Sequence, residues 1–270
     1  MKDFKESPVI KELGDITSNM YRMGWNERNG GNISWILEED DIKDYISPEK
    51  VLREIALNFD ASELKGKILL VTGTGKYFKN IQKAPEDNVG VMKVAEDGKT
   101  LELLWGYEHG AGPTSELSTH LMNHIARLQV DSGHRVVMHC HPVNTIAMTF
   151  IHEQDDKEFT LSLWGTCTEC VLVFNDGVGV VPWMPAGTNA IAEATAEKLK
   201  DRRIVIWGQH GIFGTGSSLD EAFGLIETVE KAAEIYMKTA HLPKVNRLPK
   251  EQLKDVARVY QITPREGYLD

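Results

Sequence analysis

The chain has 270 residues, with 30 Lys plus Arg against 40 Asp plus Glu, a formal net charge of −10. Its 41% hydrophobic and 26% charged content is that of an ordinary soluble domain and excludes a disordered or fibrous chain, while the acidic balance excludes sequence-independent nucleic-acid binding, which Lys and Arg drive by neutralising phosphates. No apolar run approaches the roughly 18 residues that span a bilayer, Met1–Glu6 lacks the apolar stretch of a signal peptide, and three cysteines (Cys140, Cys167, Cys170) do not make a disulfide scaffold, so a reducing cytoplasm is the expected compartment.

In chain order, Ser7-Pro8 predicts the cap and first turn of a helix that carries Val9, Leu13, Ile16, Met20 and Met23. After the Gly30-Gly31 turn comes a strand over Ile33, Trp35 and Leu37, then a charged segment from Glu38 to Lys50 that reads as solvated surface. Strands are expected at Ile68 to Thr72 and Val89 to Val94, and a helix over Leu117, Leu121, Ile125 and Leu128. Arg135 to Cys140 is a short apolar strand. Cys170 to Phe174 and Val178 to Trp183 flank Asn175-Asp176-Gly177, which predicts a β-hairpin. Thr188 caps a helix to about Lys200, Arg203 to Trp207 is a strand, Leu219 to Met237 is a long amphipathic helix, and a last helix follows Pro249. By this reading strands outnumber helices. With no linker, repeat or low-complexity tract, one α/β domain over residues 1–270 is expected, a central and mainly antiparallel sheet flanked by helices.

The sharpest chemical signal is His139-Cys140-His141 at the end of an apolar strand. Side chains at i and i+2 of a strand share a face, so both imidazoles can reach one metal while Cys140 turns away; a core or surface pair has the same spacing. His210 follows another strand, between Gly208 and Gly211. Three neutral His ligands leave an open position on Zn²⁺, the arrangement of a catalytic site, whereas His210 alone is also an ordinary residue of a glycine-rich turn. Glu116 opens a helix after the loop Gly110 to Ser115: the helix dipole already accounts for a carboxylate there, and the functional reading makes it a general base or a further metal ligand.

Asn29-Gly30-Gly31-Asn32, Thr72-Gly73-Thr74-Gly75-Lys76 and Thr114-Ser115 each suit an anion, because glycines expose N–H groups and hydroxyls add donors. The second is not a nucleotide P-loop, since Leu70 and Tyr77 stand where that pattern needs Gly and Ser or Thr; Lys76 is placed for a phosphate or for solvent. Cys167-Thr168-Glu169-Cys170 lacks the second Cys pair of a structural zinc site and reads as two small buried residues beside a strand start. His120 and His124, four apart on one helix, are expected on the surface, and replacing His120 is expected to do little. The tryptophans beside glycines (Trp25, Trp105, Trp164, Trp207) are expected in core or subunit contacts.

Taken together and in this order, Gly24 to Asn32, Val71 to Phe78, Pro113 to Leu117, Val137 to His141, Leu163-Trp164, Thr168 to Cys170, Phe174 to Gly179 and His210 to Gly214 resemble the class II, zinc-dependent sugar-phosphate aldolases of the aldolase/adducin superfamily. The resemblance runs from about residue 20 to residue 240. Trp25 to Asn32 and Thr168 to Cys170 resemble the branch that acts on L-rhamnulose 1-phosphate. The resemblance implies reversible cleavage of that substrate to dihydroxyacetone phosphate and L-lactaldehyde, in rhamnose catabolism, with zinc stabilising an enediolate. It implies one Zn²⁺ per subunit held by His139, His141 and His210, with Glu116 as the catalytic carboxylate. Asn29, Gly31, Asn32, Thr74, Gly75, Thr114 and Ser115 fall on substrate- and phosphate-binding segments. Glu169 matches a carboxylate that serves a neighbouring subunit's site, in a cytoplasmic homotetramer. Some relatives use a C-terminal tyrosine; Tyr268 is the residue of that type here. Rival readings are an L-fuculose-phosphate aldolase or pentulose-phosphate 4-epimerase, a non-catalytic adducin-like binding module, and a zinc hydrolase.

Overall fold

The computed structural model describes all 270 residues. Nine strands form one sheet: β1 (Asn32–Leu37), β2 (Arg53–Ala56), β3 (Ile68–Thr72), β4 (Val89–Val94), β5 (Thr100–Gly106), β6 (Val136–Cys140), β7 (Val178–Val181), β8 (Ile204–Trp207) and β9 (Gly211–Gly216). Their order is β2-β5-β4-β3-β1-β6-β9-β8-β7. Every pairing is antiparallel except β7 with β8, so the sheet is mainly antiparallel as expected.

Eleven α-helices surround it: α1 (Pro8–Arg22), α2 (Glu39–Ile42), α3 (Phe78–Ile81), α4 (Pro85–Asn88), α5 (Leu117–Leu128), α6 (Val143–Ile151), α7 (Asp156–Trp164), α8 (Thr168–Val173), α9 (Asn189–Leu199), α10 (Leu219–Thr239) and α11 (Lys250–Tyr260). Helices therefore outnumber strands, contrary to the sequence reading. Three of the unforeseen helices, α2, α3 and α4, are single turns too short for an apolar period to register. The charged segment after β1 is not wholly solvated either: Ile42 and Ile46 anchor it in the core.

The period of two decides which residues meet which helices. On β6, Val136, Met138 and Cys140 face the larger core beneath α1, α6 and α10, and Val137 faces the opposite side, under α5 and α9. His139 shares that second side. On β1, Ile33, Trp35 and Leu37 join the larger core, so Asn32 and Ser34 look toward α5. The two central strands thus place polar residues under the helix that begins after Glu116.

The hairpin expected around Asn175-Asp176-Gly177 does not form. Residues 168–173 are helix α8, packed on α7, α10 and α11, and β7 begins after Gly177 (φ +76°) to pair in parallel with β8 through the α9 crossover. A short apolar run fits a buried helix as well as a strand. Here tertiary partners decide: the Trp164 indole donates to Phe174 O at 3.2 Å, and Arg203 binds Val173 O and Asp176, tying the turn to β8. Cys167 and Cys170 accordingly stand beside a helix start, Cys170 buried and Cys167 only partly so.

Candidate metal centre and anion cradle

β6 pairs with β1 so that Asn32 lies opposite His139, and with β9 so that His139 lies opposite Phe213. Phe213 stacks on the His139 ring at 4.3 Å between centroids, fixing its plane. His141 follows on the same side, with its ring centroid 5.0 Å from that of His139, while Cys140 is buried in the opposite core. His210 arrives from the β8–β9 turn. Gln209 before it adopts φ +54°, held by a hydrogen bond from its N–H to Thr149 Oγ1 at 3.0 Å, and the ring lies 5.1 Å from each of the other two. The three histidines offer ligand nitrogens within 4.8 Å of one another.

The donor set fits a zinc ion. His139 Nδ1–H donates to Ile212 O at 3.0 Å and His141 Nδ1–H donates to Glu27 Oε1 at 2.9 Å. Each ring therefore presents a bare Nε2, and both Nε2 atoms are buried without a hydrogen-bond partner. Orphaned acceptors of this kind are costly unless a cation takes them. Burial holds His139 well below the ordinary imidazole range and His210 at about 4, with the neighbouring imidazoles adding to the shift, so both rings are neutral and able to ligate at neutral pH. Glu27 was not singled out from the sequence. An acidic residue three positions before Gly30 has no local pattern that ties it to His141.

Glu116 is the N-cap residue of α5 but caps nothing with its side chain. The carboxylate is buried, with Oε2 3.7 Å from His139 Nε2 and Oε1 3.8 Å from His210 Nε2. Burial raises its pKa above the ordinary carboxyl range, and a 2.7 Å hydrogen bond from Asn32 Nδ2 works against that rise.

A cavity of about 180 Å³ unites the site. Its walls are formed by Asn29, Gly31, Asn32, Thr74, Gly75, Thr114, Ser115, Glu116, His139, His141 and His210, with Gly30 and Gly73 besides. The second and third anion loops are joined to each other, since Thr74 N–H donates to Gly112 O at 2.9 Å and Thr114 N–H to Thr72 O at 3.0 Å. The N–H groups of Gly75 and Ser115 donate to no backbone carbonyl. Gly31 sits at φ +75°, and a side chain there would run into the Asn26 amide and His139 O. No Lys or Arg lines the cavity, and Lys76 is not part of its wall.

Glu169 lies elsewhere. It is exposed at the start of α8, accepting from Cys167 Sγ at 2.7 Å, beside a separate hollow that Arg247 and Gln252 also line. Tyr268 is buried: its ring packs 5.9 Å from that of Trp164 and Arg202 donates to its hydroxyl at 3.4 Å.

His120 and His124 overturn the surface expectation. They are 0% and 1% exposed and point from α5 onto β1. Ser34 Oγ is 2.7 Å from His120 Nδ1 and 2.7 Å from His124 Nε2, and His120 Nε2 is hydrogen-bonded to Asn32 Oδ1. The helical spacing put both on one face; nothing local said that the face is the one turned inward over polar strand residues.

The family model for the class II aldolase and adducin N-terminal domain matches residues 11–237. A rhamnulose-1-phosphate aldolase of Listeria monocytogenes serotype 4a (strain HCC23) is 51% identical over 270 residues, covering 100% of this chain and 99% of the relative. Another, of Enterococcus faecalis (strain ATCC 700802 / V583), is 52% identical over 98% of this chain and 95% of its own length. The crystal structure of a sugar-phosphate aldolase from Thermotoga maritima superposes with a TM-score of 0.75 at 27% identity, over 88% of this chain and 97% of that one.

Proposed function

The chain belongs to the class II aldolase and adducin family, and from that premise we propose that it is a lyase that splits L-rhamnulose 1-phosphate reversibly into dihydroxyacetone phosphate and L-lactaldehyde. The observation that carries this reading is the cavity in which three imidazoles, a buried carboxylate and three anion-binding segments converge. Cleaving the C3–C4 bond leaves an electron pair on the ketose fragment. His139, His141 and His210 would hold a zinc ion, which would supply Lewis-acid stabilisation of that charge. Ile212 O and Glu27 hold the first two rings in the ligating tautomer.

Glu116 moves the proton. In condensation it takes the C3 proton of dihydroxyacetone phosphate, and in cleavage it returns it. A carboxyl whose pKa is lifted by burial is the stronger base for that step. The N–H groups of Gly75 and Ser115, with the hydroxyls of Thr74, Thr114 and Ser115 and the Asn29–Gly31 turn, grip the phosphate. Binding energy spent on that non-reacting end orients the reacting carbon.

Glu169 serves the aldehyde end of a neighbouring subunit's site in this reading, which its exposure at a distance from its own chain's cavity supports. The enzyme then works as a cytoplasmic homotetramer whose chains are single domains; the continuous nine-stranded sheet supports the last point. No helix is long and apolar enough to cross a membrane. The test is a coupled assay for dihydroxyacetone phosphate, with L-rhamnulose 1-phosphate and L-fuculose 1-phosphate as substrates, before and after chelation. Turnover of the rhamnulose ester that vanishes with the metal and returns with zinc is expected. Faster turnover of the fuculose ester, or chelator-resistant activity, overturns the reading.

A further inference from the structure

We propose that Ser34, His120 and His124 are positioning residues for the reaction, forming with Asn32 a buried, one-way chain of hydrogen bonds that anchors Glu116 through Oε2 and leaves Oε1 as the oxygen that exchanges the proton. The proposal rests on Glu116 being the proton-transfer group of the reading above.

The direction of the chain follows from its end. An ionised carboxylate only accepts hydrogen bonds, so the 2.7 Å contact with Glu116 Oε2 is donated by the Asn32 amide. Asn32 Oδ1 then faces His120 Nε2, which must carry a hydrogen. A neutral imidazole with its hydrogen on Nε2 has a bare Nδ1, which accepts from the Ser34 hydroxyl at 2.7 Å. Ser34, having spent its hydrogen, accepts from His124 Nε2–H, also at 2.7 Å. All four bonds are donated toward the carboxylate, so each strengthens the next in a dry interior.

Nothing reverses this order cheaply. Turning the Asn32 amide would set its carbonyl against the carboxylate. Protonating His120 would turn its accepting Nδ1 into a donor, and burial opposes that by holding both histidines near a pKa of about 3. Bulk water does not reach the inner links, since Ser34 and His120 are 0% exposed and His124 1%, while Asn32 and Glu116 form the end of the chain that meets the cavity. The strand–helix packing supplies the rigidity: Asn32 and Ser34 are on β1, and Glu116, His120 and His124 recur every four residues on or at the start of α5. Glu116 Oε1 receives no protein hydrogen bond and looks into the cavity, 3.8 Å from His210 Nε2. The chain moves no proton itself. It fixes which oxygen can accept one and in what orientation.

The test has two arms. In zinc-free protein at pH 7, ¹⁵N spectra of the histidines, assigned with His120→Gln and His124→Gln, should place the hydrogen of both residues on Nε2; a His120 hydrogen on Nδ1 reverses the chain and overturns the proposal. In the zinc-loaded enzyme, solvent exchange of the dihydroxyacetone phosphate C3 proton reports Glu116 directly. His120→Phe should slow exchange and kcat together by about ten- to a hundred-fold, with KM and zinc content unchanged. His120→Gln, whose amide can donate to Asn32 and accept from Ser34, should restore most of the rate. Equal rates in the two variants, or a loss that tracks zinc content, overturn it. If His120→Phe does not fold, Ser34→Ala takes its place: His120 should then show a mixed tautomer and slower exchange, and an unchanged tautomer with unchanged exchange refutes the chain. Failure of L-rhamnulose 1-phosphate cleavage with the tautomers as stated counts against the substrate reading alone.

Discussion

Acidification should unfold this protein earlier than its surface charges require, because of His120 and His124. Both are folded neutral with pKa values of about 3, against 6.5 for an exposed imidazole. Well above pH 6.5 neither state binds a proton at these sites and they contribute nothing to the pH dependence. Below it the unfolded chain takes up protons that the folded chain refuses, so stability falls with pH until about pH 3, where the folded sites would titrate as well. At pH 5, one and a half units below the unfolded value, the loss is about 2 kcal/mol for each residue and about 4 kcal/mol for the pair. The measurement is urea unfolding followed by tryptophan fluorescence at pH 7, 6 and 5, at fixed chain concentration and with chelator present so that metal release does not enter. Carboxylates titrate in the same range, so the wild-type chain is compared with the His120→Gln/His124→Gln double variant. The double variant should start less stable but lose about 4 kcal/mol less between pH 7 and pH 5. Parallel pH dependences in the two proteins would falsify the burial argument.

Three substitutions separate the parts of the site. Glu116→Gln should keep zinc near one per chain while kcat falls about a hundred- to ten-thousand-fold, read by metal analysis beside steady-state rates; loss of zinc would make Glu116 a structural ligand instead. Glu27→Gln should leave the fold intact but weaken zinc about ten- to a hundred-fold in competition with a chromophoric chelator, because the His141 tautomer loses its partner; unchanged affinity would make the contact incidental. Gly31→Ala should cost about 1–3 kcal/mol in unfolding free energy and raise the KM for the phosphate ester, since φ +75° and the approach of His139 O leave no room for a methyl; a protein of wild-type stability and KM would show that the turn can relax.

What could be read in the sequence divides along a physical line. Strand β6 and the His139–His141 pair were legible because periodicity and spacing are local, and so was α5, whose apolar residues repeat at helical intervals. The cavity residues were legible one segment at a time. Glycine-rich turns and a Ser-Glu helix start are local signs of anion binding, and the sheet order then brought them to one place. The segment after Trp164 was not legible, because whether Cys170 to Phe174 is strand or helix depends on Arg203 and on α10 and α11, far along the chain. The same holds for Glu27, whose role exists only because the loop after β6 returns to it. Net charge told least: a chain at −10 with no Lys or Arg in its cavity can still receive a phosphate, because unspent N–H groups and hydroxyls act at hydrogen-bond range where the distant acidic surface is screened.

The histidines show why residue type underdetermines role. Five of the nine lie at or just beneath the cavity, and an imidazole has two nitrogens, so its function is set by what occupies each of them. His139 and His141 give Nδ1–H to an oxygen and leave Nε2 bare and buried, which makes them able to ligate a cation. His120 has both nitrogens engaged by uncharged neighbours, one as donor and one as acceptor, which makes it unfit to ligate and fit to transmit orientation. Exchanging the partners would exchange the roles. The i, i+4 spacing of His120 and His124 on α5 suits a metal as well as the i, i+2 spacing on β6 does. What removes the helical pair from that chemistry is Ser34, a single hydroxyl on the neighbouring strand that meets both rings. A serine 86 and 90 residues away in the chain therefore decides a question that the local sequence around the histidines leaves open.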